Sequence, residues 1–150
     1  MSTGATREIT KTDKITKLQK YSDLKMEKVV YKKESYDIVG CCFEVFNQIG
    51  PGHREKTYQK ALEEIFRQKN IYFESQFYAP ITFNKKVISK CYFDFLIEDK
   101  IVLEIKVGDH FYRRDIEQIY SYIKSKKLLL GILVNFTTSG AHFRRVLNIE

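Results

Sequence analysis

The sequence predicts a mixed α/β domain in which a central mixed sheet of about four core strands is flanked by helices. Three observations predict this fold: helical periodicity on both sides of Gly50-Pro51-Gly52, short apolar segments separated by turns, and a helical pattern followed by a near-continuous apolar run at residues 128–136. The last observation is typical of a strand–helix–strand crossover, which implies a parallel strand pair with a right-handed connection. At 150 residues the chain is about one domain long.

Three amphipathic helices are predicted from apolar residues that recur every three or four positions. The first begins at Ser35 and ends before Gly50-Pro51-Gly52, where one proline and two glycines interrupt the helical pattern. The second begins directly after this break and ends near Asn70. The third spans roughly residues 114–126, with its apolar face directed towards the sheet.

The segments that follow the second helix predict strands. They are rich in β-branched and aromatic residues and are separated by turn residues, as at 84–86 and 98–100. We expect the strands before the third helix to pair antiparallel, as a meander. The predicted strands cover residues 71–78, 81–83, 87–97, 101–107 and 128–136, and a last short element covers residues 142–148.

Composition indicates a cytoplasmic globular protein. Hydrophobic residues make up 43% and charged residues 30% of the chain, which is typical of folded rather than disordered proteins. The longest apolar runs fall far short of the roughly 20 residues that span a bilayer, and the N-terminal lysines are not followed by the apolar segment of a signal peptide. Cys41, Cys42 and Cys91 form neither a disulfide framework nor a C-x-x-C metal motif, so we interpret them as small buried hydrophobes.

Positive charge favours nucleic acid as a partner. The net charge is +7 and the isoelectric point is near 9.2. Much of the excess charge lies in residues 1–32, which are rich in threonine and lysine and lack sustained apolar periodicity. We interpret this segment as a flexible basic N-terminal extension, either a solvated leader or an arm on nucleic acid. Residues 33–150 are predicted to form a single domain.

Asp94, Glu104 and Lys106 are charged residues within two strongly apolar segments. Charged side chains are rarely buried without a partner, so their presence in core strands suggests a functional site. A three-residue turn at residues 98–100 sets Asp94 directly opposite Glu104, with Cβ atoms about 4.5–5.5 Å apart. A two-residue turn instead places the two carboxylates on opposite faces of the sheet, so one register makes a site and the other does not.

Two carboxylates at this separation repel each other, so they are expected either to hold a cation between them or to share a proton. Oxygen ligands favour Mg²⁺ or Mn²⁺ over zinc. Lys106 shares a strand face with Glu104, so its ammonium group points into the same pocket, where it can orient an attacking water or stabilise a phosphoryl transition state. The alternative interpretation is a simple ion-pair patch on an exposed sheet face.

Glu55 is a third candidate acid. It lies three residues before Tyr58 and seven before Leu62, which places it on the apolar stripe of its helix. A carboxylate directed at the core needs a partner, and an ion site under the sheet would provide one. The alternative is a capping role, because Glu55 lies three residues after Gly52, at the position where glutamate caps a helix.

These residues together resemble a known family. Residues 50–58, Gly-Pro-Gly-His-Arg-Glu-Lys-Thr-Tyr, resemble the G-x-G-x-x-E-x-x-Y signature of the GxxExxY proteins, a branch of the PD-(D/E)XK nuclease-like superfamily. Asp94 and Glu104-Ile105-Lys106 are similar to the acidic residue and the E-x-K strand of that superfamily. The resemblance covers about residues 33–148 and continues through three further matches: Gln118 with Tyr122, the strand at 131–136, and the basic end at Arg144-Arg145-Val146.

The resemblance implies a restriction-endonuclease-like αβββαβ core. It implies Glu55, Asp94 and Glu104 as metal-binding acids, with the Ile105 carbonyl completing the metal sphere, and Lys106 as the catalytic lysine. Gln118 is implied on the helix that lines the site. Tyr122 and Tyr58 are implied as residues that contact substrate or steady the site. Family members often carry histidine where this chain has Asp115.

Two functions follow as hypotheses. The first is a Mg²⁺- or Mn²⁺-dependent nuclease that hydrolyses DNA or RNA, with no membrane partner and a possible homodimer. The second is a non-catalytic module that keeps the nuclease fold and binds nucleic acid or a protein. The complete acid–acid–lysine set favours the first hypothesis. Candidate contacts to the phosphate backbone are Arg113, Arg114, Arg144, Arg145 and Lys85.

Overall fold

The helices lie close to the predicted positions. The structure, a computed structural model, describes residues 30–149. Helix α1 spans Lys32–Ile49, α2 spans Glu55–Gln68 and α3 spans Arg113–Ser125. Most of the predicted basic extension, residues 1–29, lies outside the described residues, so that interpretation and the proposed domain boundary stay predictions.

The strands confirm most of the predicted segments, with one correction. The predicted strand at 87–97 is two strands, because the chain is interrupted at Lys90 and Cys91 between them. The short hairpin before this interruption forms a sheet of its own and is exposed along its whole length. The strands are β1 Phe73–Tyr78, β2 Ile81–Phe83, β3 Lys86–Ser89, β4 Tyr92–Ile97, β5 Ile101–Val107, β6 Leu130–Phe136 and β7 Ala141–Leu147.

The main sheet is mixed and has five strands in the order β1-β4-β5-β6-β7. Strands β5 and β6 pair in parallel across the α3 crossover, and the other neighbours pair antiparallel. The predicted mixed sheet with a parallel crossover is therefore confirmed. The last predicted element is a full strand, β7, which adds an edge to the four core strands that the sequence predicts.

The two faces of the main sheet are covered by different helices. On one face Phe66 of α2 packs against Phe95, with ring centroids 5.3 Å apart. On the other face Ile119 of α3 is fully buried in a cluster with Val102 and Leu133. Both helices bury apolar stripes against the central strands β4, β5 and β6, whose buried residues are almost all apolar. This burial is the main stabilising contribution to such a fold.

Residues 35–148 form one compact unit, and every contact discussed below lies within it. Of the second unit, the structure describes residues 30–34 and Ile149. Among residues 30–149, no helix combines the length and the apolarity that crossing a bilayer requires.

Candidate active site

The turn between β4 and β5 sets the register of the site. Ile97 pairs with Ile101 and Phe95 pairs with Leu103 across this turn, as a three-residue loop requires. The predicted register is therefore confirmed, and counting back one more position sets Asp94 opposite Glu104. The backbone ladder between β4 and β5 ends at this point.

Side chains replace the ladder where it ends. The backbone N–H of Asp94 donates to Glu104 Oε1 at 3.0 Å, and the backbone N–H of Ile105 donates to Asp94 Oδ2 at 2.7 Å. Each carboxylate therefore binds the main chain of the opposite strand. Hydrogen bonds to an ionised acceptor are stronger than those between neutral groups, so this exchange fixes both carboxylates in the sheet.

The side chains of β4 on either side of Asp94 face opposite sides of the sheet. Phe95 packs against Phe66 of α2. Phe93, two residues earlier, packs against Tyr122 of α3 on the opposite face, with ring centroids 5.2 Å apart. Residues two apart in a regular strand share a face, so the change of face at Asp94 marks an irregularity. It leaves the Asp94 carboxylate at the border between the two faces.

The neighbouring strand β1 changes face at the same level. Phe73 packs against Phe66 on the α2 side, whereas Phe77 packs against Tyr122 on the α3 side. Between them Gln76 adopts a left-handed backbone conformation with φ of 49°. Its side chain donates to Asp94 Oδ1 at 3.3 Å. The irregular residue of β1 thus orients the carboxylate at the irregular position of β4.

A cleft of about 580 Å³ opens on the α2 side of Asp94. Gln59, which is only 9% exposed, accepts a 2.8 Å hydrogen bond from Gln76 at the cleft wall. Both carboxylate oxygens of Asp94 are therefore held in place. Gln76, itself bound to Gln59, donates to Oδ1, and the Ile105 N–H donates to Oδ2. The cleft is lined by Glu55, Lys56, Gln59, Lys60, Glu63, Ser75, Gln76 and Asp94.

Glu55 lies at the mouth of this cleft and not in the core. It is exposed and is the first residue of α2, with Arg54 as the N-cap. The prediction that its side chain faces the core is therefore wrong, and the capping position is also different, because the helix begins at Glu55. Its carboxylate still acts on Lys106 through space and raises the pKa of that residue.

On the α3 side, Lys106 bridges two carboxylates. Its Nζ lies 3.6 Å from Glu104 Oε2 and 3.9 Å from Asp115 Oδ1. Burial lowers the pKa of Lys106, but Glu104, Asp115, Glu55 and Asp94 together raise it above its usual value. Lys106 is therefore held as an ammonium ion. Asp115, which is 9% exposed, is thus part of the site.

Glu104 is the most perturbed acid in the site. Burial, followed by the nearby charge of Asp94, raises the pKa of Glu104 from 4.5 to about 8. The Asp94 N–H and Lys106 oppose this rise but do not cancel it. A carboxyl group in this state ionises readily only if more positive charge is added, so the site favours a bound cation.

The donor set fits a hard divalent ion, although it is not a complete cage. Asp94 and Glu104 offer carboxylate oxygens within one strand pair, and oxygen donors suit Mg²⁺ or Mn²⁺. Within the described range, no three acidic, histidine or cysteine side chains converge as a metal-binding group. The structure therefore does not bring Glu55 together with Asp94 and Glu104 as a three-carboxylate site.

The helix residues implied by the family resemblance lie away from this pair. Gln118 donates to Cys91 Sγ at 2.7 Å, and it lines a separate cleft with Phe93 and Tyr122. Tyr122 packs on the aromatic rings of the β1–β4 border. The structure thus places Gln118 and Tyr122 in one cleft, whose lining includes neither Asp94 nor Glu104.

Tyr58 is buried and has a structural role. It is 1% exposed, stacks on Phe136 with ring centroids 4.0 Å apart, and donates from its hydroxyl to the Gly50 carbonyl at 2.7 Å. Gly50 and Gly52 have φ of 72° and 92°, a conformation that glycine adopts without strain. The G-x-G-x-x-E-x-x-Y pattern therefore closes the α1–α2 loop, and we do not include Tyr58 among residues that touch substrate.

The basic side chains predicted to contact the phosphate backbone of nucleic acid are dispersed over the structure. Arg113 pairs with Glu117 at 3.1 Å, Arg114 lies over the Tyr112 ring, and Arg144 lies over the Phe111 ring. Lys85 is exposed in the β2–β3 turn. Arg145 is half-buried on β7 and interacts with other described residues. Arg113 and Arg114 begin the helix that carries Asp115, which places them next to the site.

Sequence reasoning missed three polar residues that the fold brings into play, namely Gln59, Gln76 and Asn135. Gln59 lies four residues after Glu55, so helical spacing alone puts it on the same face. Gln76 gives no such signal, because its importance depends on the left-handed backbone that tertiary packing imposes. Asn135 pairs with Lys106 in the parallel register and is 2% exposed.

Comparisons with known proteins gave a structural match and a family match. The structural match is to a chain described as the crystal structure of SSO0001, with a TM-score of 0.47 and 22% identity, and it covers 62% of this chain and 49% of that one, so the chain spans about half the length of that protein. No curated protein gave a significant match. The family model of the PD-(D/E)XK nuclease superfamily matches residues 32–146. Because this match covers well over half of the sequence, the chain belongs to the PD-(D/E)XK nuclease superfamily.

Proposed function

We propose that this protein is a Mg²⁺- or Mn²⁺-dependent nuclease that hydrolyses phosphodiester bonds of DNA or RNA. One observation carries the proposal: where the β4–β5 ladder ends, the Asp94 N–H donates to Glu104, the Ile105 N–H donates to Asp94, and Lys106 lies against Glu104. Membership of a nuclease superfamily supports the same activity.

Asp94 and Glu104 are the proposed holders of the metal ion, with the Ile105 carbonyl beside them. When bound, a divalent ion supplies Lewis-acid polarisation of the scissile phosphate. The Ile105 and Asp94 N–H groups hold the two carboxyl groups in position in advance, and Glu104 would ionise as the cation binds. Glu55, at the cleft mouth, is proposed as an outer acid that acts on the site through space.

Lys106 is the proposed catalytic cation. The surrounding carboxylates raise its pKa, so it presents a permanent ammonium group to the reacting phosphate. In this position it can orient the attacking water and stabilise the negative charge that develops on the phosphoryl oxygens. Asp115 is the second carboxylate beside this ammonium group, after Glu104. Gln118 is proposed only as a residue that supports the α3 side of the site.

The GxxExxY branch is proposed from the α1–α2 loop. Both glycines have positive φ and the terminal tyrosine hydroxyl closes the loop on the Gly50 carbonyl. These contacts give a physical reason for the glycine and tyrosine positions of the pattern. They also fix the start of α2, and with it Glu55, at the edge of the cleft.

Nucleic acid is the proposed substrate. The chain carries a net charge of +7, and Arg113 and Arg114 stand at the start of the helix that contributes Asp115. Positive groups next to a phosphodiesterase centre attract the phosphate backbone and release its counterions. A homodimer stays a separate prediction, which light scattering on the purified chain checks.

A panel of DNA and RNA substrates, single- and double-stranded, tests the activity with and without Mn²⁺. We expect metal-dependent cleavage, and a loss of roughly 100-fold or more in Lys106→Ala, as for removal of one transition-state donor. Lys60→Ala is the matched control, because Lys60 is an exposed lysine on the same cleft. If no substrate is cut and Mn²⁺ leaves the melting temperature of both the parent and Asp94→Ala unchanged, the non-catalytic alternative replaces this proposal.

A further inference from the structure

A second cleft, here called the Asn135 cleft, lies beside the candidate active site. It encloses about 550 Å³, within the range of about 300–1,000 Å³ that small-molecule sites occupy. It forms where the parallel strands β5 and β6 end, which is the usual position of ligand sites in open α/β sheets. Its walls include Phe43, Phe111, Asn135, Thr137, His142 and Arg144.

Asn135 supplies an unused hydrogen-bond acceptor in this cleft. Its amide nitrogen donates to the carbonyls of Gly108 and His110, at 3.3 and 2.5 Å. Two carbonyl partners can only accept, so they fix which end of the amide is nitrogen. The Oδ1 atom is buried, and among residues 30–149 no donor reaches it. A buried acceptor without a donor costs about 1–3 kcal/mol, which a ligand N–H group can recover.

A flat cationic surface forms another wall. The Arg144 guanidinium lies over the Phe111 ring at 4.4 Å from the centroid, and Arg144 itself is exposed. A planar guanidinium supported in this way can stack on a second planar group. Phe43 and Phe143 add an edge-to-face aromatic pair, with ring centroids 6.4 Å apart.

The charge of the Asn135 cleft disfavours a phosphate as its main ligand. Asp109 and Arg144 contribute opposite charges, and most of the remaining walls are amide, hydroxyl and aromatic groups, together with the His142 imidazole. A phosphate would meet the Asp109 carboxylate with only one cation to offset it. A neutral planar ligand with an N–H donor suits all of these groups better.

We propose that the Asn135 cleft binds an unpaired nucleobase of the strand that the candidate active site cleaves. The base stacks on the Arg144 guanidinium, and one of its N–H groups donates to Asn135 Oδ1. This deepens the proposed function and rests on it in assigning the base to a nucleic-acid strand. Asn135 pairs with Lys106 in register on the adjacent strand, and such partners share a sheet face about 5 Å apart. The bound base therefore lies one strand away from the catalytic lysine.

The test separates base binding from cleavage. The full-length Asp94→Asn variant is titrated in EDTA with a fluorescein-labelled single strand, and binding is read as anisotropy. The comparison strand has the same length and the same phosphates but carries abasic residues. We expect the strand with bases to bind roughly 5- to 150-fold more tightly, which is the range that base stacking provides. A matched duplex should lose the same advantage, because its bases are paired.

Two further variants assign the effect to this cleft. Arg144→Lys keeps the positive charge but removes the planar guanidinium on which the base would stack. It should therefore remove most of the difference in affinity between the strands with and without bases, while the affinity for the abasic strand stays nearly unchanged. Arg67→Lys is the matched control, because Arg67 also lies over an aromatic ring, Phe73, at 5.4 Å from the centroid but does not line the Asn135 cleft. Asn135→Leu should act in the same direction as Arg144→Lys, and its melting temperature shows whether the fold is retained.

Equal binding of the strands with and without bases overturns the inference, as does an Arg144→Lys variant that keeps the full difference. Tighter binding of a mononucleotide than of the strand assigns the cleft to free nucleotides and overturns the strand assignment. A base-dependent affinity in a protein that cuts no substrate supports the inference while the proposed nuclease function fails. The two proposals can therefore fail separately.

Discussion

Asp94 and Glu104 are joined through the main chain: the Asp94 N–H donates to Glu104 Oε1 at 3.0 Å, which brings the two acidic side chains to the same break in the β4–β5 ladder. Nearby like charges disfavour ionisation of both. The cost falls on Glu104, whose pKa rises to about 8 because it is buried and lies beside Asp94. The ionised form of Glu104 is therefore unfavourable in this site, and a bound divalent cation can stabilise it.

The first prediction concerns stability against pH without metal. The folded-state pKa of Glu104 lies above its usual value of 4.5, so the folded protein binds more protons than the unfolded chain between about pH 4.5 and pH 8. The contribution of Glu104 to stability is therefore present below this window and is lost as pH rises through it. Thermal melting in EDTA should show this loss, and Glu104→Gln should remove it. A slope equal to that of the parent in Glu104→Gln would contradict the prediction.

The second prediction reverses this dependence by adding metal. Binding of a divalent ion requires the ionised carboxyl, so its affinity should rise as pH approaches the Glu104 pKa of about 8. The increase in melting temperature caused by Mn²⁺ should be larger at about pH 8 than at about pH 6. Asp94→Asn should abolish the increase. An increase of the same size at both pH values would mean that Mn²⁺ binds elsewhere.

Asp115 is expected to act as a positioning residue for Lys106. Its carboxylate lies 3.9 Å from Lys106 Nζ and raises the pKa of that lysine. Asp115→Asn should lower the pKa of Lys106, so the alkaline limb of the pH profile of cleavage should move to lower pH. Asp115→Glu should restore part of the original profile. If Asp115→Asn lowers the rate equally at every pH, the role of Asp115 is structural.

The Gln59–Gln76 pair is expected to orient Asp94. Gln76 donates both to Gln59 at 2.8 Å and to Asp94 Oδ1 at 3.3 Å. Removing groups that orient a metal ligand typically costs 10- to 100-fold in metal affinity, so Gln76→Ala should weaken Mn²⁺ binding by about this amount. Calorimetric titration measures it. Ser75→Ala lines the same cleft and should leave the affinity unchanged.

Sequence reasoning could establish the parts of the site that depend on local spacing. The alternation within β4 and β5, together with a three-residue turn, is enough to predict that Asp94 faces Glu104, because strand register follows from the turn. The position of Lys106 follows from the same alternation. The crossover through α3 was predictable from the apolar run after a helical pattern, because its connection has only one common hand.

The remaining parts depend on tertiary contacts. Glu55 has the spacing of a buried residue, but the helix begins at that residue and its first turn lies at the cleft mouth. The face change at Gln76 and Asp94 follows from rings that pack on α2 and α3, which a period-two pattern cannot show. In the sequence, Asn135 is only a polar interruption of an apolar strand. Its structural role depends on the two carbonyls of the β5–α3 loop that accept hydrogen bonds from its amide nitrogen.

Arg114 is expected to contribute to nucleic-acid binding through charge. It lies at the start of α3 over the Tyr112 ring and is exposed. Arg114→Gln should weaken binding about equally for all sequences and lower the slope of log affinity against log salt by about 1. Arg67→Gln serves as the control, because Glu63 and Glu64 lie within 3.7 Å of Arg67 and offset its charge locally. An unchanged slope in Arg114→Gln would remove Arg114 from the phosphate contacts.

Gly131 leaves no room for a side chain between β6 and α3, and this packing links stability to the site. A Cβ added there would lie 2.3 Å from Cγ2 of Ile119, a fully buried residue of the helix that also carries Asp115. Gly131→Ala should therefore destabilise the protein by about 1–3 kcal/mol, as overpacking does, and should lower activity because α3 must move. Chemical denaturation and a cleavage assay measure the two effects.

Ile119→Leu provides the compensating change for Gly131→Ala, because leucine carries no methyl group on Cβ. The double variant should recover part of the lost stability, and a double-mutant cycle reports this coupling. Gly40→Ala is the opposite control: a Cβ at Gly40 in α1 meets nothing within 4 Å, so alanine should stabilise the helix by roughly 0.5–1 kcal/mol. If the double variant is as unstable as the sum of the single changes, then Ile119 is not what excludes a side chain at Gly131.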